Sequence, residues 1–440
     1  MARIALHHKI FAGMFIGSVA GILVQNAGLT VAEIENISKY VKPIGDIFMR
    51  MIFMMVIPLI ISALALGISD LGDVKKIGRI GFRTFLYSIV ITIISVVIGI
   101  GMVKIFKPGD GISIADRQFL TEKFNVGSMG IQQNMANMQS KNPMSIISNI
   151  VPKNPFEDMV RAFDSSYTGG GLLSVMFFAL ILGLALSAAD PEKVAGVKHF
   201  LEGLYELCMK AIGFAMKLAP YGVAALLFTL TANMGISILM VVLKYVLVVL
   251  AALAIHLFGT YSLMLKYFGK MKPSYFFKNV QEAMLTAFST SSSNASLPTA
   301  IRVSTEKLHI PKDIANFVLT IGSSANQNGT ALYEGVTVLF LAQVFGVELS
   351  ITKQIFVVLI SILAGIGTAG VPGGSLPVIM MILMTIGVPP EGIAIIYGVD
   401  RILDMSRTVL NVTGDITAAV YIHQYETNYQ TRKNSNTAVV

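Results

Sequence analysis

The sequence predicts an all-α membrane protein with eight transmembrane helices and two re-entrant helical hairpins. Of its 440 residues, 54% are hydrophobic and 13% are charged, whereas a soluble domain carries about 25% charged residues. Apolar runs such as 89–102 and 236–257 have the length of membrane helices rather than of β-barrel strands. Two further apolar segments are interrupted near their middle by small polar residues, which is the third observation behind this fold class.

The first part of the chain reads as ordinary spans, because about 20 mostly apolar residues cross a bilayer. Lys and Arg concentrate in the short loops between these spans, which the positive-inside rule places in the cytoplasm. We therefore expect a multi-pass protein of the cell (inner or plasma) membrane with both termini in the cytoplasm and the polar loop 108–143 outside. The six spans are predicted at 9–27, 41–69, 81–106, 144–188, 193–218 and 236–265.

Segments 274–306 and 350–386 differ from these spans, since each carries small polar residues and a Ser-Leu-Pro triplet near its centre. Irregular backbone at membrane depth survives only where protein or a cavity covers it, so each segment predicts a re-entrant hairpin. A true helix follows each hairpin, at 312–343 and at 391–425. Hairpin and helix, repeated in opposite orientation, form inverted repeats, which point to a binding site near the midplane. The alternative of two ordinary loops is disfavoured because both interruptions lack charged residues.

The last predicted helix carries polar and charged side chains in an otherwise apolar region. Their spacing of i, i+3, i+4, i+7 and i+11 puts them on one helix face. At membrane depth an unpaired charge costs at least about 2.5–3.5 kcal/mol, so this face predicts a site for a polar ligand or an ion. The stripe consists of Asp404, Arg407, Thr408, Asn411 and Asp415.

The residue types in this stripe favour a particular ligand. Arg407 presents a planar fork of donors that matches a carboxylate, and Asp404 matches an ammonium group. Serine hydroxyls and N–H groups at the hairpin tips suit a second carboxylate, so the constellation predicts an acidic amino acid. Asp415 and Asn411, facing the glycine-bracketed segment 322–329, supply hard oxygen ligands for a small cation. The alternative is that Asp404 and Arg407 form an internal salt bridge that only packs helices.

Several other functions are excluded or disfavoured. The net charge of +8 is spread over short loops, so no nucleic-acid partner is predicted. The single cysteine, Cys208, cannot form an internal disulfide, and without a His/Cys cluster no resident cofactor is predicted. His256 interrupts an apolar run and is interpreted as a helix-packing histidine with satisfied hydrogen bonds rather than as a ligand. An enzyme is not expected, because Asp400 and Asp404 lie one turn apart on one helix, a poor scaffold for an aspartyl protease dyad.

Several segments resemble signature segments of the glutamate/aspartate transporter family, the dicarboxylate/amino acid:cation symporters. The resemblance covers essentially the whole chain, and it implies a secondary active symporter that imports L-glutamate or L-aspartate. It further implies a homotrimer whose transport domain moves by an elevator mechanism, with the second hairpin as the gate. The matching segments are SSSNASLP, NQNGTALYEG, GIGTAGVPGG, DMSRTVLNVTGD and, in the fourth span, VPKNPFEDM.

The resemblance also implies how the chain divides into domains. The scaffold would comprise 1–75 and 144–235, and the transport domain would comprise 76–107 and 236–430. The remaining pieces are an extracellular loop at 108–143 and a cytoplasmic tail at 431–440.

By the same resemblance, Arg407 would bind the side-chain carboxylate of the substrate and Asp404 its amino group. Relatives that transport neutral amino acids lack the arginine, and those that transport plain dicarboxylates lack the aspartate, so an acidic amino acid is the expected substrate. The implied substrate-binding residues are Ser292, Ser293, Thr330, Val371, Gly373, Asp404, Arg407, Thr408 and Asn411. The implied candidate cation site comprises Gly322, Asn326, Asn411 and Asp415.

Departures from the family pattern concern the coupling ion. Asn328 stands where sodium-coupled members have an aspartate that binds sodium, and Ile91 and Thr92 stand where they have threonine and serine. This sodium site is therefore altered, because the lost anionic ligand no longer offsets desolvation of the ion. Glu334 stands where proton-coupled members carry glutamate, and burial at membrane depth favours the protonated form of a carboxylic acid.

The sequence thus predicts a proton-coupled symporter with sodium coupling reduced or absent. No cofactor is expected beyond the co-transported proton, and whether sodium is also carried stays open. One alternative is that Glu334 is only a hydrogen-bonded structural residue. Two further alternatives are a sodium-coupled symporter of acidic amino acids or dicarboxylates and, in a different class, a ligand-gated anion channel.

Overall fold

A computed structural model of the chain describes residues 6–72, 79–124, 151–162, 172–367 and 375–437. Every regular element in these ranges is helical, which confirms the prediction of an all-α protein. The prediction of several membrane-crossing helices is also confirmed by length and composition, while the layout of eight spans and two re-entrant hairpins stays a prediction. The helices long and apolar enough to cross a membrane are His8–Gln25, Val31–Ser69, Arg79–Phe106, Pro191–Met234 and Ile236–Tyr267.

The helices are numbered here in chain order. The first half contains α1 (Leu6–Gln25), α2 (Val31–Phe53), α3 (Val56–Gly72), α4 (Arg79–Phe106), α5 (Ile114–Phe124), α6 (Pro155–Val160), α7 (Leu172–Ala188) and α8 (Pro191–Met234). The second half contains α9 (Ile236–Ala254), a π-helical turn (Ile255–Thr260), α10 (Tyr261–Tyr267), α11 (Pro273–Thr290), α12 (Ser293–Glu306), α13 (Lys312–Ala325), α14 (Asn328–Val344), α15 (Ile351–Gly367), α16 (Leu376–Ile386), a 3₁₀ turn (Pro390–Ile395) and α17 (Tyr397–Thr437).

The second predicted span, 41–69, is two helices rather than one. α2 and α3 are separated at Met54 and Met55. Pro58 explains this break, because proline has no N–H to donate to the Met54 carbonyl and its ring crowds that carbonyl. The predicted span nevertheless lies within Val31–Ser69, a stretch long and apolar enough to cross a membrane.

α8 is longer than the predicted span 193–218, because it continues through Pro220 to Met234. Proline is tolerated inside a membrane helix where neighbouring groups satisfy the freed backbone. α1 packs closely against this part of α8, and a Cβ atom added to Gly13 would lie 2.1 Å from the Pro220 carbonyl oxygen. Glycine is therefore required at position 13 for the two helices to approach this closely.

α11 and α12 form an antiparallel helical hairpin. The chain turns at Ser291, which adopts the left-handed conformation with φ 51°. At the open end of the hairpin, the Tyr275 hydroxyl donates to the Lys307 carbonyl at 2.9 Å, and Glu282 forms an ion pair with Arg302. This segment is interrupted where the sequence predicted, and its depth in a membrane stays a prediction.

α14 lies at the centre of the second half of the chain. Every residue from Asn328 to Ala342 is buried, since α14 packs against α4, α15 and α17. α17 in turn contacts α11, α12 and α13. The helices that carry the predicted polar residues are therefore neighbours. Of the second predicted hairpin, α15 and α16 are described, while its tip, with Val371 and Gly373, lies outside the described residues.

Candidate functional site

The candidate site forms where α13 ends and α14 begins. Ala325 is the last helical residue before the break and Asn328 the first after it, as the polar run in this segment predicted. Two glycines let α17 approach this break. A Cβ atom at Gly322 would lie 2.5 Å from an Asp415 carboxylate oxygen, and one at Gly329 would lie 2.6 Å from the Arg407 carbonyl oxygen.

Asn411 connects α17 to the first turn of α14. Its side-chain oxygen accepts the backbone N–H of Gly329 at 2.7 Å. Its side-chain amide donates to the Gln327 side-chain oxygen at 2.5 Å and to the Thr330 hydroxyl at 3.0 Å. All the hydrogen-bonding atoms of this amide are thus engaged between the two helices. Gln327 belongs to the glycine-bracketed polar run predicted as part of the site, but it was not among the residues assigned to the substrate or to the cation.

Asp404 and Arg407 lie one turn apart on α17 and pair with each other. Arg407 Nε and Nη2 donate to Asp404 Oδ1 at 2.9 and 2.6 Å, and the side chains are 3% and 2% exposed. Arg401 Nη1 also donates to Asp404, through Oδ2 at 3.4 Å. Arg407 Nη1 is buried and has no hydrogen-bond partner among the described residues. The internal salt bridge is thus present, and it leaves one guanidinium nitrogen free of described partners.

Thr408 lies beside this pair, and the predicted serines of the first hairpin lie at the break between α13 and α14. The Thr408 hydroxyl donates to the Asp404 carbonyl at 2.8 Å. At the tip of the first hairpin, the Ser292 hydroxyl caps α12 by accepting the Ala295 N–H at 3.2 Å. The Ser293 hydroxyl lies 3.5 Å from the Gln327 side-chain nitrogen. The hairpin tip therefore contacts the α13–α14 break, as the predicted convergence of these elements requires.

Asp415 lies at the end of a chain of side-chain hydrogen bonds. Its Oδ1 accepts from the Asn326 amide at 2.9 Å, and Asn326 Oδ1 accepts from the Asn328 amide at 3.4 Å. The Tyr261 hydroxyl lies 2.9 Å from Asn328 Oδ1 and 3.0 Å from the Leu410 carbonyl oxygen. Gly414 leaves room for this hydroxyl, since a Cβ atom there would lie 2.5 Å from it. The sequence analysis did not identify Tyr261.

The third predicted group lies on α4. Ile91 is fully buried, and the Thr92 hydroxyl donates to the Ser88 carbonyl at 2.7 Å. Ser95, one turn further along the helix, donates to the backbone carbonyl of Asn328 at 2.8 Å. Thus α4 holds the start of α14 through Ser95, a residue that the sequence analysis did not single out.

Glu334 lies within the buried length of α14 and is 0% exposed. Both carboxyl oxygens are buried without a hydrogen-bond partner among the described residues. The alternative of a hydrogen-bonded structural glutamate therefore has no support in the described part of the chain. A buried carboxylate without partners is strongly disfavoured relative to the neutral acid.

His256 lies in the π-helical turn and packs its ring edge-on against Tyr261, with ring centroids 5.0 Å apart. Both ring nitrogens are buried without a hydrogen-bond partner in the described ranges. His256 thus packs against Tyr261 as expected, but its ring nitrogens lack the described hydrogen-bond partners expected of a satisfied histidine. The described residues contain no group of three or more His, Cys, Asp and Glu side chains that could hold a metal ion.

The apolar helices and the enclosed polar site define a multi-pass membrane protein with buried charged groups between its helices. Within this class, the chain belongs to the sodium:dicarboxylate symporter family, whose profile matches residues 6–425. It is 35% identical over 433 residues to the proton/sodium-glutamate symport protein of Bacillus caldotenax, covering 98% of this chain and 97% of that protein.

Two further relatives carry related names. The proton/glutamate-aspartate symporter of Escherichia coli K12 is 34% identical over 400 residues, which cover 89% of this chain and 86% of that protein. A C4-dicarboxylate transport protein of Bacillus subtilis is 29% identical over 430 residues, which cover 97% of this chain and 96% of that protein. The resemblance expected from the sequence motifs is thereby confirmed at the level of the family.

Proposed function

We propose that this protein is a proton-driven symporter that imports acidic amino acids, L-glutamate or L-aspartate, with sodium coupling reduced or absent. The observation that carries the proposal is the buried pair Asp404 and Arg407, which brings one anion and one cation to the polar break between α13 and α14. A ligand with both a carboxylate and an ammonium group offers complementary charge to both members. The names of two relatives, a glutamate symport protein and a glutamate-aspartate symporter, support this substrate class.

Binding would proceed by exchange of ion pairs. The free nitrogen of Arg407, Nη1, would meet the side-chain carboxylate of the substrate first. That carboxylate would then replace Asp404 on Arg407, and Asp404 would receive the ammonium group of the substrate. Because each buried charge keeps a partner throughout, the exchange avoids the large free-energy cost of an isolated ion. Thr408, Asn411 and Ser293 would add neutral hydrogen bonds.

Proton coupling rests on Glu334. Its carboxyl group has no described hydrogen-bond partner, so a bound proton would remove a buried charge that no described hydrogen bond stabilises. Protonated, the side chain would cross the membrane with the substrate as a neutral group. Asn328 supports a reduced role for sodium, because this neutral amide is engaged by Tyr261 and Asn326.

A sodium-coupled symporter of acidic amino acids or dicarboxylates is the second candidate. Asp415 and Asn326, 2.9 Å apart, favour it, because both side chains offer oxygen ligands beside the broken helix. Asp404 disfavours plain dicarboxylates, since it would face one of their carboxylates with like charge. A ligand-gated anion channel is a candidate of another class, and the Asp404–Arg407 pair disfavours it because a pore needs no site matched to both charges of an amino acid.

We also propose the domain arrangement implied by the family: eight spans, two re-entrant hairpins, and an elevator-type movement within a homotrimer of the inner or plasma membrane. The packing is compatible with a scaffold at 1–75 and 144–235, because α8 packs against α1, α2 and α3. It is equally compatible with a transport domain at 76–107 and 236–430, since α17 packs with α11 to α14 and α4 packs with α13, α14 and α17. Residues 108–143 would form the extracellular loop and 431–440 the cytoplasmic tail.

Uptake of labelled aspartate into proteoliposomes tests this function. With the membrane voltage clamped at zero, an inward proton gradient in sodium-free buffer is expected to drive accumulation, and a protonophore is expected to abolish it. An inward sodium gradient at equal pH is expected to drive little accumulation of labelled aspartate. Strict dependence on sodium without proton movement would contradict the proposal. Competition by glutamate, succinate and asparagine identifies the substrate class, with glutamate expected to compete most strongly.

A further inference from the structure

Asp400 is a buried acid on α17 that the proposed binding scheme does not use. Its side chain lies next to Tyr333 of α14, and the Tyr333 hydroxyl donates to Asp400 Oδ1 at 2.6 Å. Asp400 is 6% exposed and Tyr333 is fully buried. A hydrogen bond this short to a buried carboxylate is a charge-assisted bond, about twice as strong as a neutral one. It therefore fixes the position of the Tyr333 ring relative to α17.

The ring of Tyr333 also contacts Arg407. The guanidinium carbon of Arg407 lies 5.1 Å from the ring centroid, and both side chains are buried. A cation over the face of a tyrosine ring is attracted by the ring's quadrupole, more strongly where water is excluded. Tyr333 thus bonds Asp400 through its hydroxyl group and holds Arg407 through its ring.

This arrangement matters most when a substrate is bound. In the structure, Asp404 accepts two hydrogen bonds from the Arg407 guanidinium, and the face of the Tyr333 ring lies next to the guanidinium carbon. Once a substrate carboxylate has displaced Asp404, the contact with Tyr333 is the one of these two that persists. The orientation of the Arg407 N–H groups that Asp404 has released then depends on the position of the Tyr333 ring. Asp400 fixes that position.

We propose that Asp400 and Tyr333 are positioning residues that hold the Arg407 guanidinium in the orientation that receives the side-chain carboxylate of an acidic amino acid. This inference rests on the substrate role proposed for Arg407. It also accounts for the charge of Asp400, which with Asp404 balances Arg401 and Arg407, so that the cluster is neutral before a substrate enters.

The variant Tyr333→Phe tests the hydroxyl while keeping the ring. Binding to the purified protein is measured for L-aspartate and for L-asparagine, which has the same shape but no second carboxylate. Loss of a hydrogen bond to a charged group is expected to weaken aspartate binding about tenfold or more. Asparagine binding is expected to stay unchanged, because asparagine makes no ionic contact with Arg407. A merely structural role of Tyr333 would weaken both ligands equally.

Variants at Asp400 separate the hydrogen bond from the charge. Asp400→Asn keeps an acceptor for the Tyr333 hydroxyl but only for a weaker, neutral hydrogen bond, so aspartate binding between that of the wild type and that of Tyr333→Phe is expected. Asp400→Leu removes the acceptor and is expected to match Tyr333→Phe. Because both residues act through one contact, the double variant Tyr333→Phe/Asp400→Leu is expected to bind aspartate no more weakly than either single variant. An additive loss in the double variant would overturn the proposal.

Two controls distinguish failure of this inference from failure of the proposed function. Tyr87→Phe removes another buried phenol hydroxyl, one without a hydrogen-bond partner in the described ranges, and is expected to change neither ligand's affinity. Arg407→Ala tests the proposed function itself. If Arg407→Ala loses aspartate binding while Tyr333→Phe and Asp400→Leu keep the wild-type ratio of aspartate to asparagine affinity, the positioning role is refuted. Unchanged aspartate binding in Arg407→Ala would instead refute the substrate role.

Discussion

At the scale of single residues, Arg407 is the side chain whose loss should alter ligand recognition most. Arg407→Ala would leave the second carboxylate of an acidic substrate without a counter-charge, and removing one partner of a buried ion pair costs about 3–5 kcal/mol. Aspartate affinity is therefore expected to fall by more than about a hundredfold. Calorimetric titration of the purified protein measures this. Arg83→Ala, which removes an arginine stacked on Tyr425 at the far end of α17, is the matched control and should bind aspartate normally.

Glu334 is the residue on which proton coupling depends. Glu334→Gln keeps the shape of the side chain and removes the exchangeable proton, so substrate exchange across the membrane should continue while a pH gradient should no longer drive net accumulation. Proteoliposomes loaded with unlabelled aspartate measure exchange, and empty ones measure net uptake. Glu306→Gln at the exposed end of α12 is expected to retain both activities. Net pH-driven uptake by Glu334→Gln would assign the proton to another group.

Sequence patterns identified most of these residues singly, yet not their long-range partners. The spacing on α17 predicted one face for Asp404, Arg407 and Asn411, because helical periodicity is local. Nothing in the pattern paired Tyr333 with Asp400, which lie 67 positions apart, or Tyr261 with Asn328. Such contacts depend on how whole helices pack, and an apolar run around a tyrosine is equally typical of a core residue.

At the scale of helices, the close approach of α13 to α17 holds the candidate cation site together. Gly322→Ala would place a Cβ atom 2.5 Å from Asp415 Oδ1, which forces the helices apart. Overpacking of this kind typically costs about 1–3 kcal/mol, so the apparent unfolding temperature in detergent should fall. Far-UV circular dichroism measures it, since the chain has no Trp to serve as a fluorescent probe.

The control for this substitution is Gly213→Ala on α8. An added Cβ atom there meets no atom within 4 Å, and alanine stabilises a helix by up to about 1 kcal/mol relative to glycine. Gly213→Ala should therefore leave the unfolding temperature unchanged or raised. If both alanine variants changed the unfolding temperature equally, α13 and α17 would be able to accommodate a Cβ atom at Gly322 without loss of stability.

The helix boundaries illustrate which features a sequence predicts well. The breaks at Ser291 and at Asn326 were predicted because clusters of small polar residues interrupt apolar runs there. Proline alone does not predict a helix boundary here. Pro58 lies just after a break between two helices, whereas Pro220 lies within a continuous helix. The difference lies in the surroundings of each proline, because α1 packs directly against α8 at Pro220, and such surroundings cannot be read from the local sequence.

At the scale of the whole molecule, the distribution of basic loops predicts the orientation of the chain in the membrane. Replacing the one cysteine with Cys208→Ser provides a background for single introduced cysteines. Gln118→Cys, on exposed α5 after the predicted third span, should react with a membrane-impermeant maleimide in intact cells. Glu192→Cys, at the start of α8 beside two lysines, should react only after the membrane is permeabilised, because positively charged loops remain in the cytoplasm.

The same labelling experiment also tests from which side of the membrane each hairpin of the proposed inverted repeats enters. If Gln118→Cys is external and Glu192→Cys internal, the first hairpin, which begins within the basic segment 266–278, must enter from the cytoplasm. The second hairpin then enters from outside, so the two hairpin tips approach the α13–α14 break from opposite sides. Labelling of Glu192→Cys in intact cells would reverse the sides from which the two hairpins enter and would contradict the cytoplasmic assignment of the basic loops.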